Sequence, residues 1–172
     1  MIVTEEIDDK MLDDIKERLE AYRQKNMDID NQIERLERME ARMYGLGSPV
    51  MSDMPKGSSG TTDRMADMVA TRDCLKEEIE TSVSEQSEER AYFEKIVRTF
   101  RNSDEKAVIR MRYFDGVQWE EVIDMLFGGK KDYLGKEDTY KRRTFKIRRR
   151  ALYHMAEYML AHKEETPADP AE

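Results

Sequence analysis

The sequence predicts an all-α protein, with a long N-terminal antiparallel helical hairpin (coiled coil) followed by a C-terminal helix-turn-helix module. Three observations carry that expectation. Apolar residues recur at heptad spacing over the N-terminal third; a Gly/Ser/Pro-rich stretch separates this repeat from a second, weaker one; and two short apolar segments precede a long basic one in the last third.

With Leu12 as position a, the a positions are Leu12, Leu19, Asn26, Ile33 and Glu40, and the d positions are Ile15, Tyr22, Ile29, Leu36 and Met43. Eight of these ten are apolar or aromatic, which marks an amphipathic helix whose stripe requires another helix against it. Asn26 falls in that seam, where a polar residue fixes register or strand number. From Tyr44 to Thr62 the chain holds four glycines, two prolines and four serines, a composition that does not continue a helix and predicts a flexible loop at 44–62. Thr61 or Thr62 is the expected N-cap of the next helix. Its stripe runs through Met65, Met68, Arg72, Leu75, Ile79, Ser82 and Gln86, supplemented by Val69 and Val83. Two such helices fold back on each other, with self-association through the same stripe as the rival. Folding about Asp53 places Ile15 opposite Ala91, and continuing the second stripe brings Glu89 and Phe93 into the seam.

The hairpin is expected to occupy residues 1–100, the module 101–162, and a disordered acidic tail 163–172. Ser103 is the expected N-cap of a helix over about Asp104 to Tyr113, with Asp104 and Glu105 complementing its dipole. A second helix covers Trp119 to Leu126 and a third about Lys136 to Leu160. Gly116, between the first two, supplies a left-handed residue that ends a helix.

Charge is segregated. The chain has a formal net charge of -8, yet seven of the eleven residues from Tyr140 to Arg150 are Lys or Arg. On the third helix Tyr140, Thr144, Ile147, Ala151 and Met155 form one stripe, widened by Phe145 and Leu152. The opposite surface carries Arg142, Arg143, Lys146, Arg149 and Arg150, while Lys141 and Arg148 project on the widened side and snorkel. The residues predicted to contact DNA are Lys136, Thr139, Lys141, Arg142, Arg143, Lys146, Arg149 and Arg150. Cationic side chains bond phosphates, and arginine also reads guanine edges bidentately.

The stretch "SDEKAVIRMRYFDGVQWEEVIDMLF" followed by "KEDTYKRRTFKIRRRALYHM" resembles region 4 of the sigma-70 family, the part of a bacterial sigma factor that reads the -35 promoter element. The resemblance rests on Arg112 and Tyr113, Gly116, Trp119 to Ile123, Leu126, Thr139, Ala151 and Leu152. With a helical pair and a Gly/Ser/Pro loop ahead of it, the chain is similar to sigma-region-4-like phage proteins compared with late-transcription regulators of the RinA and ArpU kind. The family usually has a short turn before its recognition helix, whereas here Gly128 to Gly135 intervenes. The resemblance implies a phage late-gene activator in the cytoplasm of a bacterial host. Its partners would be double-stranded promoter DNA, RNA polymerase and a second copy of itself.

The remaining residue patterns point to bland roles. Mean hydropathy is -0.88, and no apolar run approaches the roughly 20 residues of a membrane span. One cysteine and two histidines give no disulfide framework and no zinc spacing. Cys74 reads as an apolar filler, Trp119 as a core anchor, and Glu120 and Glu121 as solvated. No nucleophile–base pair, metal cluster or phosphate-cradling loop is present in the pattern, so the sequence predicts no enzyme and no cofactor. The contrasting function is a non-enzymatic helical interaction or adaptor protein that works through its coiled coil, with the basic helix gripping an acidic partner.

Overall fold

The computed structural model describes residues 7–46 and 59–162. It contains α1 (Asp9–Leu46), α2 (Ser59–Thr99), α3 (Ser103–Ile109), a π-helical turn (Arg110–Phe114), α4 (Trp119–Phe127) and α5 (Glu137–Ala161), and no strand among the described residues. The all-α expectation holds. α1 runs past the predicted end at Met43, and α2 starts at Ser59, ahead of Thr61 and Thr62. The centre of the predicted loop, with the turning point at Asp53, and the acidic tail lie outside the described residues.

The chain divides into two compact units. Lys25–Ser87 holds the second part of α1 against the first part of α2. Among its described residues, Ile29, Leu75 and Ile79 are the buried apolar ones. Lys25 bonds Glu85 at 2.7 Å and Lys76 bonds Glu40 at 2.8 Å, so the later residue of α1 pairs with the earlier residue of α2 and the helices are antiparallel. Gln86 is also buried here, and its Oε1 has no protein partner. Two residue expectations fail in this unit. Val83 is exposed because it lies one position beyond the stripe that buries Ile79 and Gln86, and Cys74 is exposed, with its Sγ turned toward Glu78.

Met1–Gln24 together with Glu88–Glu172 forms the other unit. Here the ends of the hairpin and the C-terminal module share one core. Leu12, Ile15, Leu19 and Tyr22 of α1 pack with Phe93, Ile96, Val97 and Phe100, with Ile109, Tyr113 and Phe114, and with Ala151, Leu152, Met155 and Ala156 of α5. Each large apolar side chain buried in this way contributes roughly 1.5–3 kcal/mol. Tyr22 anchors the junction edge-on to both Phe93 and Phe114, with ring centroids 5.8 Å apart in each case. Glu89 and Phe93 enter the seam as expected, Glu89 through a two-bond pairing with Arg18. Ala91, the nominal partner of Ile15, is exposed, and Phe93, Ile96 and Val97 are the buried residues instead. The helices therefore pair further along α2 than a fold about Asp53 implies.

The cap of α3 also corrects the sequence reading. Asn102, with extended backbone, accepts the Asp104 amide at 2.8 Å through its Oδ1, and Ser103 is the first helical residue. Either side chain suits an N-cap, and the chain direction at Asn102 decides between them. Past Ile109 the helix widens: the amide of Asp115 donates to the carbonyl of Arg110 at 2.9 Å, five residues back. Gly116 has a φ of 71° and turns the chain into α4, as its position predicted. A second cluster of Val108, Val122, Ile123, Phe127, Tyr140 and Ile147 seats α4 between α3 and α5.

Candidate nucleic-acid interface

The exposed face of α5 follows from what the helix buries. Tyr140, Thr144, Ile147, Ala151, Leu152, Met155, Ala156 and Met159 are buried, and the Thr144 hydroxyl donates to the Tyr140 carbonyl at 2.9 Å rather than remaining unpaired. The helical repeat then turns the intervening cations outward. All eight predicted contact residues, Lys136, Thr139, Lys141, Arg142, Arg143, Lys146, Arg149 and Arg150, are exposed, and seven of them lie on the one helix.

These residues differ in their engagement. Lys136 bonds Asp132 at 3.0 Å, and Arg149 bonds Asp9 of α1 at 2.7 Å. The Arg143 guanidinium lies over the Phe127 ring, 5.1 Å from its centroid. Lys141, Arg142, Lys146 and Arg150 have no carboxylate partner among the described residues. Unpaired, solvated cations on one face form the kind of surface that attracts phosphates. Lys141 reaches solvent, as snorkelling predicts. Arg148 is the exception, half-buried over the rings of Trp119 and Phe145 at 5.2 and 4.9 Å, with no protein partner for its Nε. It braces α4 rather than joining the exposed set.

The sequence reading passed over Tyr153. It is 44% exposed and lies beside Lys146, Arg149 and Arg150 in a shallow depression of α5. The available signal was its spacing of three, four and seven residues from those cations. A phenol among cations adds a neutral hydrogen-bonding group to the face.

The inserted stretch ahead of α5 is folded. Successive turn bonds run from the Lys130 amide to Phe127, from Tyr133 to Lys130 and from Lys136 to Tyr133, at 2.9–3.1 Å. Asp132 accepts the Tyr140 hydroxyl at 2.7 Å as well as the Lys136 ammonium, and the Tyr140 ring contacts those of Phe127 and Tyr133, tilted to each. The Tyr140 hydroxyl chiefly, and then Lys136, hold the Asp132 carboxyl below the usual aspartate pKa. The same carboxylate raises the pKa of both Tyr140 and Lys136. The insertion thereby fixes the start of α5, with Lys136 at the N-cap position and Thr139 in the first turn.

The turn between the two short helices is held from beneath. The buried Arg112 donates from Nη1 to the Val117 carbonyl at 3.2 Å and reaches Glu20 of α1 at 3.4 Å through Nη2. Trp119 is half-buried, edge-on to Tyr113 and to Phe145 of α5. Its expected place against the basic helix is found, but the deepest anchors of α4 are Val122, Ile123 and Phe127. Glu120 and Glu121 are both exposed. No described helix is long and apolar enough to cross a membrane, and the described residues include no group of three or more His, Cys, Asp or Glu placed to hold a metal ion.

A family model described as "Protein of unknown function (DUF1492)" matches residues 45–143, more than half of the chain. No curated protein and no solved structure matches it.

Proposed function

We propose that this chain, which belongs to the DUF1492 family, is a DNA-binding transcription regulator whose α5 lies against duplex DNA. One observation carries the reading. Arg142, Lys146 and Arg150 on the outer face of α5, and Lys141 on its flank, are exposed without carboxylate partners among the described residues, in a chain of net charge -8. A chain rich in carboxylates has ample means to neutralise its own cations, and these four are left for an external polyanion. The arrangement of two short helices, a glycine turn and a long basic helix supports duplex DNA as that polyanion, because it presents one helix to a groove. The resemblance to sigma region 4 supports promoter DNA in particular and a phage late-gene activator as the biological setting. RNA polymerase or a second copy is then the partner for the hairpin.

The test is an electrophoretic mobility shift with the DNA flanking the protein's own gene. Saturable binding that survives excess competitor DNA is expected. Its absence over a range of salt concentrations would refute the proposal and leave the helical adaptor reading in its place.

A further inference from the structure

The start of α1 is packed beside the cationic face of α5. Leu12, Ile15 and Leu19 are buried in the same core as Ala151, Leu152 and Met155, so hydrophobic packing fixes where the first turns of α1 lie. On the flank that this packing leaves in solvent, Asp9, Asp13 and Lys16 line a groove whose other wall includes Arg142, Lys146 and Arg149. Asp9 bonds Arg149 at 2.7 Å. Both side chains are more than two-thirds exposed, so the ion pair itself contributes little to the stability of the fold. Its position is the informative feature: the Asp9 carboxylate stands where it competes with phosphate oxygens for Arg149, and Asp13, 3.8 Å from Lys16 of its own helix, lines the same groove.

We infer that the first two turns of α1 act as a built-in competitor for phosphate, which lowers the affinity of α5 for nucleic acid and restricts binding to duplexes that also make favourable contacts elsewhere. The inference rests on the DNA-binding reading and deepens it. Binding requires the Arg149 guanidinium to exchange Asp9 for a phosphate, while Asp13, its charge partly offset by Lys16, adds a smaller repulsion at the groove. A weak exposed pair suits this role, because a strong one would silence the face altogether. Duplexes that offer only phosphates meet the full repulsion, and those that also satisfy side chains at the N-terminal turn of α5 overcome it.

The test measures fluorescence anisotropy of a labelled mixed-sequence duplex titrated with the full chain across a salt series. Wild type is compared with Asp9→Asn/Asp13→Asn, with Asp9→Lys alone, and with Asp30→Asn/Glu37→Gln as a control for net charge. Circular dichroism confirms that each variant is folded; Asp9 is 83% exposed, so Asp9→Lys keeps the test available if the double variant fails to fold. The expected result is binding roughly three- to tenfold tighter for the Asp9 variants, with a salt dependence steeper by about one phosphate contact, and little change for the control. Equal or weaker binding by the Asp9 variants overturns the inference while leaving the DNA reading intact, and so does an equal gain in the control. If no protein binds at any salt concentration, both are overturned. If only the Asp9 variants bind, the competitor is confirmed in its strongest form.

Discussion

The guanidinium of Arg112 lies 5.1 Å from the centroid of the Trp119 ring, and Arg148 approaches the same ring at 5.2 Å. An indole between two arginines joins the π-helical turn, α4 and α5, and is held in turn by Tyr113 and Phe145. Trp119→Ala would remove the ring and leave Arg112 and Arg148, each with a buried Nε that already lacks a protein partner, beside a cavity. Full burial of a tryptophan makes truncation cost about 3–5 kcal/mol; for this half-buried ring the expected loss is about 2–3 kcal/mol. Urea denaturation checks it. An unchanged midpoint would show that the ring contributes nothing to the stability of the module.

Arg142→Ala/Arg143→Ala/Lys146→Ala is expected to weaken DNA binding while leaving helicity almost unchanged, since all three side chains are exposed. If each meets one phosphate, the slope of log affinity against log salt should become shallower by about 0.9 per residue removed. Arg143 also covers Phe127, so that substitution alone carries a small stability cost. Wild-type affinity in the triple variant would remove α5 as the interface.

The sequence made the helices and their inward faces legible because burial imposes a period. All ten heptad positions of α1 are buried or half-buried, as are Tyr140, Thr144, Ile147, Ala151 and Met155 on α5. It made the cationic face legible by subtraction, since what a helix does not bury it exposes. Features set by long-range packing were not legible. The register of α1 against α2 depends on loop geometry that composition does not encode. The choice of Asn102 over Ser103 depends on the path of the chain out of α2. The pairing of Arg112 with Glu20 joins residues far apart in the chain that no local pattern links. Asp9 was invisible as part of the site because a single exposed acid has no period, and only the packing of Leu12 and Ile15 brings it to Arg149.

The loop ahead of α5 should have a pH window. Because the Asp132 carboxyl has a lowered pKa in the folded chain, its contribution is fully present above the ordinary aspartate value and is lost as pH falls through the lowered one. Tyr140 and Lys136 are raised by the same carboxylate, so their share is present below their ordinary values and is lost as pH rises through the raised ones. Protection of the Tyr133 and Lys136 amides from hydrogen exchange, corrected for the intrinsic rate, should therefore be greatest between about pH 5 and 9. In Tyr140→Phe, which removes the largest cause, an NMR titration should find the Asp132 carboxyl moved upward. An unmoved carboxyl would show that the hydroxyl bond is not formed in solution.

Arg18 and Glu89 offer the most direct test of the hairpin. They pair through Nε at 2.7 Å and Nη2 at 3.0 Å, both side chains are about one-fifth exposed, and the arginine also lies against Tyr92 and Phe93. An intermolecular coiled coil would meet the same two residues across chains, so contact alone does not distinguish the arrangements and concentration does. With Cys74→Ser removing the native thiol, Arg18→Cys/Glu89→Cys should react with a short bismaleimide to give a crosslinked monomer at a yield independent of protein concentration. Ala91→Cys, opposite Ile15 in the register implied by the loop centre, should crosslink poorly to Ile15→Cys because Ala91 points to solvent. Crosslinking only between chains, rising with concentration and accompanied by a dimer mass in light scattering, would show that the pairing is intermolecular. Monomer crosslinks in a particle of dimer mass would instead mean that the hairpin forms within each chain and associates through another face, presenting two copies of α5 to a two-fold DNA site.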